Sequence, residues 1–204
     1  MNLQNAMAVP PDPNTLVNTV TFQCNGPATI QITQSYSLLV GQATVIDGGS
    51  SNITLDGAGH QRMFQQTSMY NSSPPALTLS NLTLRNAKVP PADCSALLCP
   101  GSIVSGGMSV QFNHCNVENS GLAITLTSPG ILVINDSQFD GASIISAATQ
   151  TTISRSGFQN GSPIIAGGTV SIVGSTFSNN DVSHFETCTQ LTIAFKIKSR
   201  HKEQ

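Results

Sequence analysis

The chain has 204 residues, a formal net charge of −2 and only 9% charged side chains, with 39% hydrophobic residues and no tryptophan. So few charges exclude a coiled coil or a solvated disordered chain, both of which are rich in Lys and Glu. Residues 1–195 hold four Lys/Arg against nine Asp/Glu, so the body offers no basic footprint for nucleic acid.

Residues 1–19 begin MNLQNAMAVPPDPN, with neither a basic n-region nor an apolar run, and do not read as a secretory signal. Pro10, Pro11 and Pro13 predict an extended lead-in to the first strand. Nothing approaches the ~18 consecutive apolar residues of a membrane-spanning helix.

Residues 47–62, DGGSSNITLDGAGHQR, contain two Asp-Gly turns opened by Asp47 and Asp56. One reading is conformational: the Asp caps the turn and the Gly takes positive φ. The other is chemical. If two corners stack, Asp47 and Asp56 become paired carboxylates, His60 an acid or base and Arg62 an anion clamp.

From residue 77 onward five segments align without gaps: LTLSNLTLRN (77–86), VQFNHCNVEN (110–119), LVINDSQFDG (132–141), TTISRSGFQN (151–160) and VSIVGSTFSN (170–179). Their first and third positions are mostly aliphatic or Phe and alternate with polar residues, the pattern of short strands with one buried face. Asn81, His114, Asp136, Arg155 and Gly174 suit a bend. Leu84, Val117, Phe139, Phe158 and Phe177 supply a second inward anchor. Asn86, Asn119, Asn160 and Asn179, with Gly141 in the odd repeat, mark a common corner and read as structural: Asn tolerates the left-handed backbone. Stacked Asn side chains also suit an amide ladder.

Successive segments from 110 on start 19–22 residues apart, too close for a helical crossover. The predicted fold is all-β, a single-domain parallel β-helix over 20–195 with about eight coils, hence a rod of roughly 40 Å. Residues 88–100, KVPPADCSALLCP, interrupt the repeat and read as an inserted loop, in which Cys94 and Cys99 are candidates for a local disulfide. A zinc set adding His114 and Cys115 fails, because neighbours on a strand face opposite ways. Five Asn-X-Ser/Thr triplets, at Asn52, Asn71, Asn81, Asn135 and Asn160, are compatible with secretion without arguing for it. Residues 196–204 form a basic polar tail that breaks the slot rules.

The order of segments from VTFQCNGPATIQITQSYSLLVGQATVIDGGSSNITLDGAGHQRMFQ (20–65) through LTLSNLTLRNA (77–87) resembles the opening of right-handed parallel β-helix proteins of the pectin-lyase-like superfamily. The nearest subset is the surface and secreted repeat proteins that include polymorphic outer-membrane proteins. Their Phe-X-X-Asn repeat is matched by Phe177–Asn180, and Gly106-Gly107-Met108 approximates their Gly-Gly-aliphatic motif. The resemblance implies a right-handed helix and an extracellular or cell-surface setting. Fold alone does not choose among that superfamily's lyases, hydrolases and adhesins.

Lyase chemistry needs a carboxylate-built Ca²⁺ site with a basic proton acceptor, and hydrolase chemistry needs neighbouring acids. The chain has no Asp-Asp pair, and residues 20–195 hold no Arg-X-Lys. Aromatic platforms for sugar rings are scarce, with two Tyr and no Trp. An ice-binding ladder is not expected, since the outward row Thr78, Gln111, Val133, Thr152, Ser171 is too irregular. The sequence therefore reads as a non-catalytic segment of a surface or secreted protein, a stalk or adhesion surface without a cofactor. Its expected partners are an extracellular polysaccharide or a surface protein, with end-to-end self-association through an uncapped end. The alternative is a divergent polysaccharide lyase or hydrolase using Asp47, Asp56, His60 and Arg62.

Overall fold

The computed structural model describes residues 3–7, 17–34, 36–38, 42–66, 75–89, 101–127, 129–161, 163–166, 168–180, 184–186 and 190–194. Cys94, Cys99, the insertion from residue 90 and the basic tail lie outside them.

The chain runs α1 (Leu3–Met7), β1 (Val17–Thr21), β2 (Ala28–Gln31), β3 (Tyr36–Leu38), β4 (Ala43–Asp47), β5 (Ile53–Asp56) and β6 (Phe64–Gln66). It continues through β7 (Ala76–Ser80), β8 (Leu82–Arg85), β9 (Val104–Gly106), β10 (Ser109–Asn113), β11 (Asn116–Leu126) and β12 (Ile131–Asn135). The last strands are β13 (Gln138–Ser146), β14 (Gln150–Ser154), β15 (Gly157–Gln159), β16 (Pro163–Ala166), β17 (Thr169–Val173), β18 (Thr176–Ser178), β19 (His184–Glu186) and β20 (Gln190–Ala194).

Two sheets result. One has eight strands in the order β1-β4-β7-β10-β12-β14-β17-β20; the other has twelve and contains β2, β5, β8, β11, β13, β15 and β18 in one run. Strand pairing is parallel throughout, and the chain returns to the eight-stranded sheet after each one- or two-strand visit to the twelve-stranded one, so the protein is all-β and its strand order is compatible with a solenoid.

The gapless sequence alignment coincides with the ladder register. Leu77 pairs with Val110, Val110 with Leu132, Leu132 with Thr151 and Thr151 with Val170. Alternation follows: Leu79, Phe112, Ile134 and Ile153 are fully buried while Thr78, Gln111, Val133 and Thr152 between them are half-buried. On the second sheet Leu84, Val117, Phe139, Phe158 and Phe177 share one register. The Phe rings stack, with centroids 5.0 Å apart for Phe139–Phe158 and 4.9 Å for Phe158–Phe177, while Phe112 meets Phe139 edge-on at 5.6 Å.

The amino-terminal reading needs correction. Residues 3–7 are helical rather than extended, and the first strand begins at Val17, three residues before the expected boundary at 20. Five residues are too few for a stable isolated helix. Leu3 and Met7 are buried in the core, and Asn18 Nδ2 donates to the carbonyls of Ala6 (3.2 Å) and Met7 (2.8 Å), satisfying the helix end from below. The proline cluster follows the helix and does not determine it.

Candidate functional site

The corners carry the polar chemistry. Among the described residues ten non-glycine positions have left-handed backbone, and eight of them fall in two rows: Asn81, His114, Asp136 and Arg155 (φ 55, 52, 49 and 48°) form one, Asn86, Asn119, Asn160 and Asn179 (φ 53, 46, 54 and 52°) another. Gly174 (φ 61°) and Gly141 (φ 60°) occupy the same rows where no side chain is needed.

The amide ladder stands at a different slot from the one the repeat pattern marks. Asn135 Nδ2 donates to Asn113 Oδ1 at 3.1 Å, Asn113 Nδ2 to Ser80 Oγ at 3.4 Å, and Ser154 Oγ to Asn135 Oδ1 at 2.7 Å. Asn86 and Asn160 instead donate to carboxylates one strand earlier: Asn86 Nδ2 to Asp56 Oδ1 at 3.1 Å and Asn160 Nδ2 to Asp140 Oδ1 at 2.8 Å.

Asp47 and Asp56 close strands of different sheets, β4 and β5. Each turns its carboxylate onto its own turn: Asp47 Oδ1 accepts from Gly49 N–H at 2.9 Å, and Asp56 Oδ1 from Ala58 N–H at 2.8 Å. The next strand adds further donors, Asn81 Nδ2 to Asp47 at 2.8 Å and Arg85 Nε to Asp56 Oδ2 at 2.8 Å. The glycines differ from expectation. Positive φ falls at Gly49, Ala58 and Gly59, one or two residues beyond each Asp-Gly. Gly48 and Gly57 serve close approach instead: a Cβ at Gly48 would lie 2.2 Å from the Asn81 carbonyl oxygen, and one at Gly57 2.7 Å from Ala87 Cα.

Burial pushes the Asp56 carboxyl up, but hydrogen bonds from Ala58, Arg85 and Asn86 and the charge of Arg85 outweigh it, and the net shift is downward. A carboxylate with a lowered folded pKa contributes stability that is complete above its unfolded value and lost as pH falls through the folded one. Asp56→Asn is accordingly expected to lose less stability than the wild type between about pH 5 and pH 2. Urea midpoints across that range check it; parallel curves for the two proteins would refute it.

His60 is exposed, its Nδ1 2.8 Å from the Ala58 carbonyl oxygen. Arg62 is buried, 7% exposed, and its Nη1 donates to Gln65 Oε1 at 2.9 Å. Of the four residues only Asp56 lines a groove of about 760 Å³, with Asn86, Lys88, Ser102, Asn119 and Ser120. Among the described residues Asp56 is the single carboxylate of that lining. The ionised carboxylate accepts hydrogen bonds and the surrounding amides, hydroxyls and Lys88 can donate them; among the described residues no second acid lines the groove for general acid–base hydrolysis.

A second groove, about 360 Å³, lies along the other corner row, with Asn81, Thr83, His114, Asp136 and Gln138 among its walls. Arg155 grips Asp136 with two bonds of 2.7 Å, and that hydrogen bond chiefly, with the charges of Arg155 and His114, holds the Asp136 carboxyl low. Directly inward, Cys115 is buried while His114 is exposed; burial raises its thiol to about 11, so it stays protonated at neutral pH. Among the described residues no three His, Cys, Asp or Glu side chains gather as a metal site, and no helix is long and apolar enough to cross a membrane.

Sequence reasoning passed over a buried hydroxyl ladder. Cys115 N–H donates to Ser137 Oγ (3.0 Å), Ser137 N–H to Ser156 Oγ (3.1 Å) and Ser156 N–H to Ser175 Oγ (3.1 Å). Each Oγ donates back to the carbonyl two residues before it. The signal was present as serine recurring at one inward slot, which a solvated reading of serine hides.

Fold and corners together define an all-β protein of parallel strands in two sheets, solenoid-like, whose polar side chains bond from strand to strand along the stack. Comparison with protein-family models, with curated proteins and with solved structures gives no match.

Proposed function

We propose that this chain is a non-catalytic, right-handed parallel β-helix of about eight coils, akin to the pectin-lyase-like superfamily. It serves as a stalk or interaction surface of an extracellular or cell-surface protein. The observation that carries the reading is the use made of Asp56: its carboxylate is occupied by Ala58, Arg85 and Asn86, and among the described residues no second acid lines its groove. A hydrolase needs two carboxyl groups about 5–10 Å apart across one bond. Amides and hydroxyls lining the groove suit reversible contact with a hydroxylated polymer or a protein surface instead.

The test is incubation with uronate-containing and neutral polysaccharides, following new reducing or unsaturated ends, beside binding measured by affinity electrophoresis. Retardation without product is the expected result. Product formation that disappears in Asp56→Asn would replace this reading with the alternative of a divergent polysaccharide-active enzyme.

A further inference from the structure

Five junctions in the chain place an Asn or Asp directly before Gly: Asn25-Gly26, Asp47-Gly48, Asp56-Gly57, Asp140-Gly141 and Asn160-Gly161. At such a junction the glycine backbone nitrogen can reach the preceding side chain's carbonyl carbon, because no Cβ hinders the approach. The reaction needs that nitrogen free and the backbone able to turn toward the side chain. An amide already bonded across the stack offers neither until the structure opens locally.

The fold holds four of the five. Gly48 N–H donates to the Ser80 carbonyl at 2.9 Å and Gly57 N–H to the Arg85 carbonyl at 2.9 Å. Gly161 N–H donates to Asn180 Oδ1 at 3.0 Å, and Asn160 Nδ2 is itself held by Asp140 Oδ1 at 2.8 Å. Asp140-Gly141 lies inside β13, where hydrogen bonds from Asn160 and Gln159 keep the Asp140 carboxyl low and ionised. An ionised carboxylate is a poor electrophile, so that junction is doubly protected.

Asn25-Gly26 is the exception. It lies in the connection between β1 and β2, with Cys24, Asn25 and Pro27 exposed around it. Among the described residues nothing bonds the Gly26 N–H or the Asn25 side chain. A Cβ built at Gly26 would meet nothing within 4 Å, so the junction has room to turn.

We infer that Asn25 is a site of spontaneous modification, converting through a succinimide to aspartate and isoaspartate, while the fold protects Asn160. The Gly26 nitrogen attacks Asn25 Cγ and a C–N bond closes the five-membered ring. The side-chain nitrogen leaves as ammonia, taking the Gly26 amide proton with it. Water then opens the ring at either carbonyl, and the balance needs no oxidant, metal or cofactor. The product matters because of its place. Residues 13–46 contain no charged side chain, and β1 and β2 end the strand orders of the two sheets. Conversion thus puts a carboxylate beside an uncharged sheet edge, the kind of charge that discourages strand pairing there. Isoaspartate also adds one backbone carbon, but in a connection, so the pairing of β1 with β4 and of β2 with β5 is expected to survive.

The test is incubation of the folded full chain in mildly alkaline buffer, followed by peptide mapping with mass spectrometry and isoaspartyl methyltransferase labelling. Asn25 is expected to convert at least about tenfold faster than Asn160, whose junction must first lose two hydrogen bonds. In urea that unfolds the chain the two rates are expected to converge. Asn25→Gln should remove the acid-shifted species from ion-exchange profiles, and Asn180→Ala, which frees the Gly161 amide, should speed conversion at Asn160. An Asn25 that stays intact in the folded chain overturns the inference, as does an Asn160 that converts as fast as Asn25 before unfolding. The inference goes beyond the proposed function and does not rest on it, so neither result bears on the polysaccharide assay.

Discussion

Replacing Phe158 by alanine is expected to lower the unfolding free energy by about 3–5 kcal/mol. Phe158 is 2% exposed and lies between two stacked rings, Phe139 at 5.0 Å and Phe177 at 4.9 Å. The loss has two parts: the transfer energy of the ring, and a void that the parallel strands cannot close without breaking register with both neighbours. Each aromatic contact adds about 0.5–1.5 kcal/mol beyond area. Phe177 occupies the same slot one strand later but is only half-buried, so Phe177→Ala should cost clearly less. Urea denaturation of the three proteins checks the order. Equal losses at the two positions would mean that the stack is not a graded interior column.

Ser137→Ala is the second large effect, and it comes from a hydrogen bond rather than from volume. Ser137 is fully buried and its Oγ accepts the Cys115 N–H at 3.0 Å. Alanine fits the space but leaves that amide without its acceptor, at about 1–3 kcal/mol. The Asn135 carbonyl suffers less, because it also accepts from His114 N–H at 3.1 Å. At the half-buried Ser175, where water can replace the lost hydroxyl, alanine should cost under about 1 kcal/mol. Denaturant midpoints decide it, and a harmless Ser137→Ala would show that the ladder contributes no net stability.

These two substitutions also mark how far the residue pattern could be read. The Phe column was legible because Phe139, Phe158 and Phe177 recur at one slot of a gapless alignment, and period-two alternation assigns a slot to the interior without knowledge of its neighbours. The serine column was equally periodic, yet its meaning depends on whether the site is wet, which the residue type does not tell. Asp47 and Asp56 show the same limit. Their spacing allowed one shared site, and the fold places them at the ends of strands in different sheets. Arg62, considered as an anion clamp, is buried instead.

By itself the chain determined which residues face inward and that successive strands repeat one template, because both follow from local backbone geometry and side-chain polarity. The alignment placed residues of one slot opposite each other, but only the tertiary structure decided which polar side chains bond across strands and how far apart in sequence the partners lie. Asp56 takes Arg85, 29 residues on, while Asp136 takes Arg155, 19 residues on. The spacing varies because the connecting segments differ in length, and no local rule sets that length. The terminal helix has the same origin: five residues hold their shape because Leu3 and Met7 enter the core and Asn18 meets the carbonyls of Ala6 and Met7, contacts that exist only after the first strands have assembled.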